Sequence, residues 1–491
     1  TSMELDAMYP TTGETTVPVN NYQTGWNLLA DHYAGYMACA NHWEGGINPL
    51  VYNLTNNWRS TVFSVAFTQV MPAWLQLKAA YDQGLVAGEV MAVGDILKVV
   101  TLHRASDMYG PLPVLHFGEA RSPYDAQDVL YDHFFQTLNN SISVLEDFLA
   151  TTPDSKALVK VDAVYGGDFA KWLKFARSLK LRLAMRIRYV EPDLALQYAQ
   201  EAIEGGVITS TDENALLQTY RQITVTNPLE MIWNSYNDAR MGASMDSYLN
   251  GYEDPRREKM FTTVTLVENG QEIQGYAGIR IGINVTSKAQ AVSSYSNMRV
   301  TGTDPYLWMN AAEATFLRAE YELRWGSAET AGTLYEQAVT LSFEERGADN
   351  VKGYLSDATS TPAAYKDPLN KHSMASPQST ITVAWNAAAD FETNHERSIT
   401  QKWIAIFPLG TEAWTEHRRT GYPRLLPAVV DNSGGAVNVA LGARRLPYPV
   451  EEYTENPTNL QAAVSALNGE SVNGAGDTQG TRVWWDRKNL N

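Results

Sequence analysis

The sequence predicts a mainly α-helical protein, in which a tetratricopeptide-like helical-repeat scaffold carries a loop-rich lobe with short β-hairpins. Three observations predict this fold class. Two segments have the apolar spacing of amphipathic helical hairpins, each about 40 residues long and therefore close to the tetratricopeptide period. Long segments elsewhere are rich in Asn, Ser, Thr, Gly and Tyr. One of these segments contains a strand pattern beside a hairpin-turn dipeptide.

The first helical hairpin lies between Phe169 and Gly206. Its apolar stripe recurs at spacings of three and four, as in an amphipathic helix, and consists of Phe169, Trp172, Leu173, Ala176, Leu179, Leu183 and Ile187. Pro192 cannot continue this helix but can open the next one. That second helix ends at Gly205-Gly206, which suit the left-handed turn that closes a helix.

The second helical hairpin is predicted to start with Asp304 as its N-cap and Pro305 as its first helical residue. Its stripe contains Met309, Ala312, Phe316, Ala319 and Leu323. After a break at Trp325-Gly326-Ser327, a return helix runs to about Gly347. Small residues on the facing stripes let the paired helices approach closely.

Two further helices are predicted, at Ser60–Tyr81 and Gly88–Arg104. Together with the two hairpins they would be enough to stack into a right-handed solenoid. We therefore expect one structural unit, whose helical-repeat scaffold occupies approximately residues 58–206 and 304–347.

The loop-rich lobe is expected at approximately residues 207–303 and 348–491. Within it, residues 261–267 alternate as a short strand, and Asn269-Gly270 is a strong hairpin-turn signal. Loops on a rigid scaffold are where recognition usually occurs. We therefore expect this lobe, with the loop 41–57, to contain the ligand site.

Charge and composition argue against several kinds of partner. The formal net charge is −17, and the 38 Lys and Arg residues are interspersed with 55 Asp and Glu. Such a surface repels nucleic-acid phosphates and anionic lipid headgroups. The single cysteine, Cys39, can form no intramolecular disulfide and is predicted to be a buried thiol. No run approaches the ~18 apolar residues that span a bilayer.

Several short motifs follow one another from about residue 58 to the C-terminus. They are Gly94–Lys98 leading into Ser106–Pro113, Trp172–Arg188, Ala312–Glu320, Ile399–Trp403, Glu416–Pro423, Arg444–Pro449 and Val483–Asp486. In this order they resemble the SusD/RagB family of outer-membrane lipoproteins. Arg444 and Arg445, before a Pro-Tyr-Pro turn, suit structural ion pairs, and Asp107 is likewise assigned to the scaffold.

The resemblance implies a function and a location. A SusD-like protein is a lipid-anchored protein of the bacterial surface that binds a glycan without chemistry. It delivers the glycan to a TonB-dependent, SusC-like outer-membrane transporter, over which it acts as a hinged lid. The family's lipid-bearing cysteine has no match in this chain, so we expect it to have been lost with a leader segment. No cofactor is implied, although the sequence leaves room for an irregular structural Ca²⁺ site.

The loop 41–57 is the main candidate for a ligand surface. It combines aromatic rings, which stack on pyranose rings, with amides, which hydrogen-bond to hydroxyl groups. The resemblance implies that the segment before the helix opened by Trp58 contributes to the ligand surface. The predicted ligand-binding residues are Trp43, Asn48, Tyr52 and Asn53, with Tyr295 and Trp385 from later polar insertions. Trp58 is expected to pack at the start of its helix, and Trp172, Trp308 and Trp403 are predicted to be core residues.

Patterns typical of enzymes are absent from the sequence. The eight histidines lack metal-ligand spacing, and there is no nucleophile elbow, P-loop or dinucleotide fingerprint. Abundant Asp and Glu leave open a glycoside hydrolase on a helical scaffold, because its carboxylate pair is set by the fold. Non-enzymatic glycan binding is the leading hypothesis. The alternatives are a peptide-binding RagB-like protein, the hydrolase, and a solenoid that binds only other proteins.

Overall fold

The fold consists of helices joined by long irregular segments, and the computed structural model describes residues 3, 16–41, 43, 46–283, 287–467 and 476–489. The α-helices are α1 (Thr16–Tyr22), α2 (Asn56–Ser64), α3 (Met71–Asp82), α4 (Gly88–Tyr109), α5 (Gln127–Thr151), α6 (Phe169–Arg186), α7 (Pro192–Gly205), α8 (Pro228–Glu230), α9 (Ala243–Gly251), α10 (Arg257–Met260), α11 (Lys288–Ser294), α12 (Ala311–Trp325), α13 (Ala328–Arg346), α14 (Val351–Leu355), α15 (Phe391–Ala405), α16 (Gly410–Thr420), α17 (Glu452–Glu455) and α18 (Pro457–Ala466).

Shorter elements complete the framework. π-Helical segments occupy Gln23–Asp31, Val65–Val70 and Met231–Ser235, and 3₁₀ turns occupy Pro49–Val51 and Thr211–Glu213. The strands are β1 (Met37–Ala38), β2 (Ala215–Leu217), β3 (Arg240–Met241), β4 (Val264–Glu268), β5 (Gln271–Gly275) and β6 (Tyr306–Met309). They pair antiparallel as β1–β3, β2–β6 and β4–β5.

Paired helices form the scaffold, as the sequence predicts. α4 packs against α5, α6 against α7, and α12 against α13. α6 also contacts α5 and α12, and α12 contacts α15, so the pairs stack in successive layers. The predicted core residues Trp172, Trp308 and Trp403 are each at most 2% exposed. Trp58 is buried in the first turn of α2, which confirms its predicted packing role.

The second hairpin starts later than predicted, and its predicted N-cap at Asp304 is wrong. Residues 306–309 form β6 because they pair with β2, with Ala215 opposite Met309. α12 begins at Ala311, and the side chain of Asn310 accepts a hydrogen bond from the Glu313 N–H at 2.9 Å as its N-cap. The local signal at Asp304 and Pro305 was therefore overridden by strand pairing with a distant segment.

Three long helices, α5, α15 and α16, are not predicted from the sequence pattern. α15 and α16 lie within residues 348–491, which were expected to be rich in loops. Their buried faces are largely polar and include Asn394, His395, Gln401, Lys402, Glu412, Glu416, Arg418 and Arg419. A helix with such a face lacks the apolar stripe on which the prediction depends.

Buried ion pairs explain these polar faces. Arg186 of α6 donates to both carboxylate oxygens of Glu412 in α16, at 2.6 and 2.8 Å. Both Glu412 bonds come from Nη2 of Arg186, whereas Arg419 of α16 makes a two-pronged contact with Glu320 of α12 through Nη1 and Nη2, at 2.7 Å for each bond. All four side chains are at most 3% exposed. The Arg186 pair therefore holds α16 against α6, and the bidentate Arg419 pair fixes the geometry of α16 against α12 as well as the charge.

The C-terminal motif residues have the predicted structural role. Arg444 donates to Asp486 at 2.7 Å, and Arg445 donates to Asp477 at 2.6 Å. Asp107 is buried in the last turn of α4. The predicted hairpin turn is also confirmed, since Asn269 and Gly270 between β4 and β5 both have positive φ, at 51° and 80°.

Candidate ligand-binding surface

The loop that follows β1 lies next to the segment that precedes β3. In this strand pair, Met37 is opposite Met241 and Ala38 is opposite Arg240. The chain therefore leaves β1 at Cys39 beside the residues that lead into β3. The loop after β1 and the segment before β3 are both polar and contain aromatic residues. They are far apart in sequence and become neighbours in the fold.

Asp238 joins three segments at this place. Its carboxylate accepts hydrogen bonds from Nε2 of Gln23 at 2.9 Å, Nδ2 of Asn41 at 3.2 Å and Nζ of Lys288 at 2.7 Å. The Asp238 side chain is 8% exposed, whereas the Lys288 side chain is 41% exposed. A buried carboxylate is stable only when it is paired and hydrogen-bonded. The cluster therefore fixes the start of the loop against α11 and the first π-helical segment.

Trp43 has an uncommon backbone conformation and is oriented by Cys39. Its φ is 51°, in the left-handed region that bulky residues rarely adopt. Its indole N–H donates to Sγ of Cys39 at 3.2 Å, and its ring meets the Trp58 ring edge to face at 5.9 Å between centroids. Cys39 is buried, as predicted, and burial raises the pKa of its thiol to about 12. Trp43 itself remains half-buried.

Asn48, Tyr52 and Asn53 form a compact turn after Trp43. The Asn48 side chain accepts from the Leu50 N–H at 2.9 Å and caps the 3₁₀ turn, while its backbone bridges that of Asn53. Nδ2 of Asn53 donates to the Gly46 carbonyl at 2.8 Å. Tyr52 has a φ of 61°, is 4% exposed, and lies 5.9 Å from Tyr33 between ring centroids.

Tyr295 and Trp385 lie in two different places. Tyr295 belongs to the small hydrophobic cluster on which Trp43 packs, is 1% exposed, and donates its hydroxyl proton to Asp367 at 2.8 Å. Trp385 is half-buried against α13, where its indole N–H donates to the Ala328 carbonyl at 3.0 Å. The fold thus brings Tyr295 beneath the loop and leaves Trp385 outside it. The roles of all six residues as ligand contacts stay predictions.

Comparison with known proteins decides the family. The family described as Susd and RagB outer membrane lipoprotein, SusD-like, matches residues 1–486. The chain belongs to the SusD-like family. No curated protein sequence matches it significantly.

Three solved SusD homologues are similar over almost the whole chain. One from Bacteroides thetaiotaomicron VPI-5482 is 38% identical with a TM-score of 0.88, covering 99% of this chain and 98% of the other. One from Bacteroides uniformis ATCC 8492 is 38% identical with a TM-score of 0.87, covering 99% of each chain. A chitin-binding homologue from Flavobacterium johnsoniae is 35% identical with a TM-score of 0.90, covering 99% and 98%. These likenesses confirm the family resemblance and the mainly helical fold.

A second polar, aromatic-bearing segment lies beside the start of the loop 41–57, and the sequence analysis did not single it out. Residues 231–238 include half-buried Trp233 and Tyr236 and exposed Asn234. The Trp233 indole N–H donates to the Val300 carbonyl at 2.8 Å, and the Tyr236 hydroxyl donates to Asn20 at 3.0 Å. The run Trp-Asn-Ser-Tyr-Asn-Asp has the same aromatic and amide composition as the loop 41–57. That composition was the available signal.

Two features are absent from the described part of this SusD-like chain. Among the described residues, no group of three or more His, Cys, Asp or Glu side chains could hold a metal ion. No helix in the described part of the chain is long and apolar enough to cross a membrane. The family itself is one of outer-membrane lipoproteins.

Proposed function

We propose that this SusD-like protein captures a glycan at the bacterial surface and passes it, chemically unchanged, to a TonB-dependent transporter. Family membership and the chitin-binding relative support glycan as the ligand class. The observation that carries the proposal is the surface organised by Asp238. Its carboxylate joins Asn41, two residues before half-buried Trp43, to the end of the aromatic and amide segment 231–238.

The chemistry of this surface suits sugars. Half-buried indole and phenol rings offer faces to the C–H side of a pyranose, and by analogy with stacked bases each contact contributes about 1–3 kcal/mol. Exposed Asn234 and Lys288 offer donors to hydroxyl groups. Several contacts are needed because association itself costs ~4–15 kcal/mol. The ring of Trp43, already fixed by Cys39 and Trp58, loses little freedom on binding.

Delivery requires no reaction on the ligand. A protein held beside a transporter by an N-terminal lipid raises the local ligand concentration at the pore through an effective-concentration effect. In this proposal the SusC-like barrel is the partner. The stacked helices of the scaffold form a stiff body that carries the bound ligand to the barrel.

Calorimetric titration with a panel of neutral oligosaccharides, beginning with chitin oligosaccharides, tests the proposal. The variant Trp43→Ala should weaken binding of the preferred glycan about 5- to 150-fold, because one stacking contact of about 1–3 kcal/mol is lost. Tyr81→Ala is the matched control, since Tyr81 is an aromatic residue on α3 that is 43% exposed. The control should leave the affinity unchanged. Equal affinities for wild type and Trp43→Ala would remove this loop from the site.

Two further arms separate the competing functions. Titration with a tripeptide library should give no binding that competes with the glycan, and competitive peptide binding would favour a RagB-like role instead. Prolonged incubation with the bound glycan should release no new reducing ends. Sustained release would identify a hydrolase. Co-purification with a barrel transporter tests the proposed partner.

A further inference from the structure

A cleft of about 520 Å³ opens beside α16, which is within the range of small-ligand sites. Its polar lining includes Glu392, His417, Arg424, Arg444 and Lys488. Four of its residues, His417, Leu425, Ala440 and Leu441, also line a narrow inner cavity that contains Tyr52. The cleft therefore leads inward towards a predicted ligand residue.

The charge of this cleft differs from that of the whole protein. Its lining contains three cations and one carboxylate, although the chain carries a formal net charge of −17. Arg444 is already paired with Asp486. Nζ of Lys488 donates to Glu392 at 2.6 Å and to the Thr420 carbonyl at 2.9 Å, so two of its three protons are used.

Arg424 has unused hydrogen-bonding capacity. Its side chain is 55% exposed, and its ion contact is a distance of 3.4 Å from Nε to Oε1 of Glu396. That oxygen also accepts the Ser379 hydroxyl proton. Within the described part of the chain, neither Nη of Arg424 has a hydrogen-bond partner, and these two nitrogens together can bind a carboxylate bidentately.

His417 supplies an acceptor rather than another cation. Its Nδ1 lies 3.0 Å from the Pro423 carbonyl and must carry the proton of that hydrogen bond, which leaves a lone pair on Nε2. Burial, together with the nearby Arg444, lowers the pKa of His417 to about 3, so the ring is neutral at pH 7. The Glu392 carboxylate is a second acceptor. Both suit sugar hydroxyl groups.

We propose that this cleft binds an acidic sugar, with the carboxylate of a uronic acid on Arg424 and Lys488 and ring hydroxyl groups on Glu392 and His417. The inference rests on the proposed function and narrows it, because it names a uronate-bearing glycan as the ligand of a second subsite. A peptide carboxylate shares the charge but lacks the hydroxyl groups that the two acceptors would bind.

The test uses trigalacturonate and its fully methyl-esterified form, which differ in charge but share the sugar skeleton. Calorimetry on the full chain should show that the acid binds at least about tenfold more tightly than the ester, which is the scale of one charge-assisted contact. Arg424→Gln should remove this preference and leave ester binding unchanged. Arg424→Lys should retain part of it, because the charge remains while the fork is lost.

Arg221→Gln is the matched control, since Arg221 is an exposed arginine outside the cleft. Equal binding of acid and ester, or an equal loss in Arg221→Gln, would overturn the proposal. Tighter competitive binding of acetyl-dialanine than of trigalacturonate would overturn the choice of sugar. An unchanged thermal midpoint in Arg424→Gln shows that the variant is folded. Loss of neutral-glycan binding in Trp43→Ala tests the proposed function separately, so the two failures are distinguishable.

Discussion

At the scale of single residues, the candidate surface depends on buried groups that hold exposed ones. Cys39 and Asp238 are both buried, and each holds other residues in place. Cys39 accepts a hydrogen bond from the Trp43 indole N–H, and Asp238 accepts hydrogen bonds from three segments of the chain. The partly exposed Trp43 and Lys288 then have defined positions before a ligand arrives. Preorganisation of this kind improves affinity by reducing the entropy lost on binding.

Cys39 should be inert in the folded protein. Its side chain is buried and its thiol pKa is raised to about 12, so the reactive thiolate is scarce at pH 8. We expect no modification by iodoacetamide over an hour under native conditions and complete modification in 6 M guanidinium, a denaturing concentration. Mass spectrometry of the intact chain measures both. Rapid native labelling would contradict the described position of Cys39.

Asp238→Ala should weaken glycan binding indirectly, because Asp238 positions the loop and does not itself contact the glycan. The change leaves Lys288 and the amides of Gln23 and Asn41 without their shared acceptor and releases the start of the loop. We expect about 1–3 kcal/mol lower stability and a roughly tenfold loss of affinity by calorimetry. Asp212→Ala, at a carboxylate that is 76% exposed, is the control and should change neither quantity. An unaltered affinity in Asp238→Ala would show that the cluster does not position the site.

At the scale of elements, the helices are joined by buried ion pairs as well as by apolar stripes. Arg182 of α6 donates to both carboxylate oxygens of Glu313 in α12, at 2.7 and 2.8 Å, and both side chains are at most 1% exposed. This pair lies between two helical hairpins that are distant in sequence. It therefore helps to define how the layers stack.

Glu313→Ala should be strongly destabilising, because it removes the bidentate partner of the buried Arg182 charge and leaves it only the longer ion contact with Glu412, at 3.6 Å from Nε to Oε2. We expect a loss of about 3–5 kcal/mol in the free energy of unfolding, measured by urea denaturation. Asp82→Ala removes the exposed Lys78–Asp82 pair within α3 and should cost at most about 0.5 kcal/mol. Similar losses in the two variants would contradict the structural role assigned to the buried pair.

Sequence reasoning succeeded where a signal is local and failed where it is not. The stripe from Phe169, the end of α7 at Gly205 and the Asn269-Gly270 turn each depend on neighbouring residues, and the structure confirms them. The start of α12 depends on pairing between β6 and β2, and the Asp238 cluster depends on donors at residues 23, 41 and 288. No local pattern contains such contacts. The polar buried faces of α15 and α16 are hidden for the same reason, since their partners are on other helices.

At the scale of the whole molecule, buried titratable groups make stability depend on pH. Burial lowers the pKa of four of the described histidines, His32, His103, His395 and His417, to about 4, 4, 4 and 3. In the unfolded chain they take up protons near pH 6.5, so acidification below that value favours unfolding. Burial raises the pKa of Asp31 and Asp246 to about 7, which opposes this effect between pH 7 and 4. Among these six groups, the four histidines outweigh the two carboxyl groups, so their combined effect on acidification is destabilising.

The thermal midpoint should therefore be highest near pH 7 and should fall as the pH is lowered towards 4. Below pH 4.5 the fall should steepen, because Arg419 holds the pKa of Glu320 and Glu416 below the ordinary value despite their burial. Differential scanning calorimetry at a constant ionic strength of about 0.15 M measures this while limiting long-range charge effects. A midpoint that rises between pH 7 and 5 would contradict the predicted balance of buried groups.

The most direct test of glycan capture without chemistry is mass spectrometry of the saccharide recovered from the protein. The folded chain is incubated with the best-binding oligosaccharide of the panel, separated from free ligand by gel filtration, and denatured to release what it holds. The account predicts that the wild type retains the oligosaccharide at its full length and that Trp43→Ala retains far less. Recovery of shortened products, or equal retention by the two proteins, would contradict it.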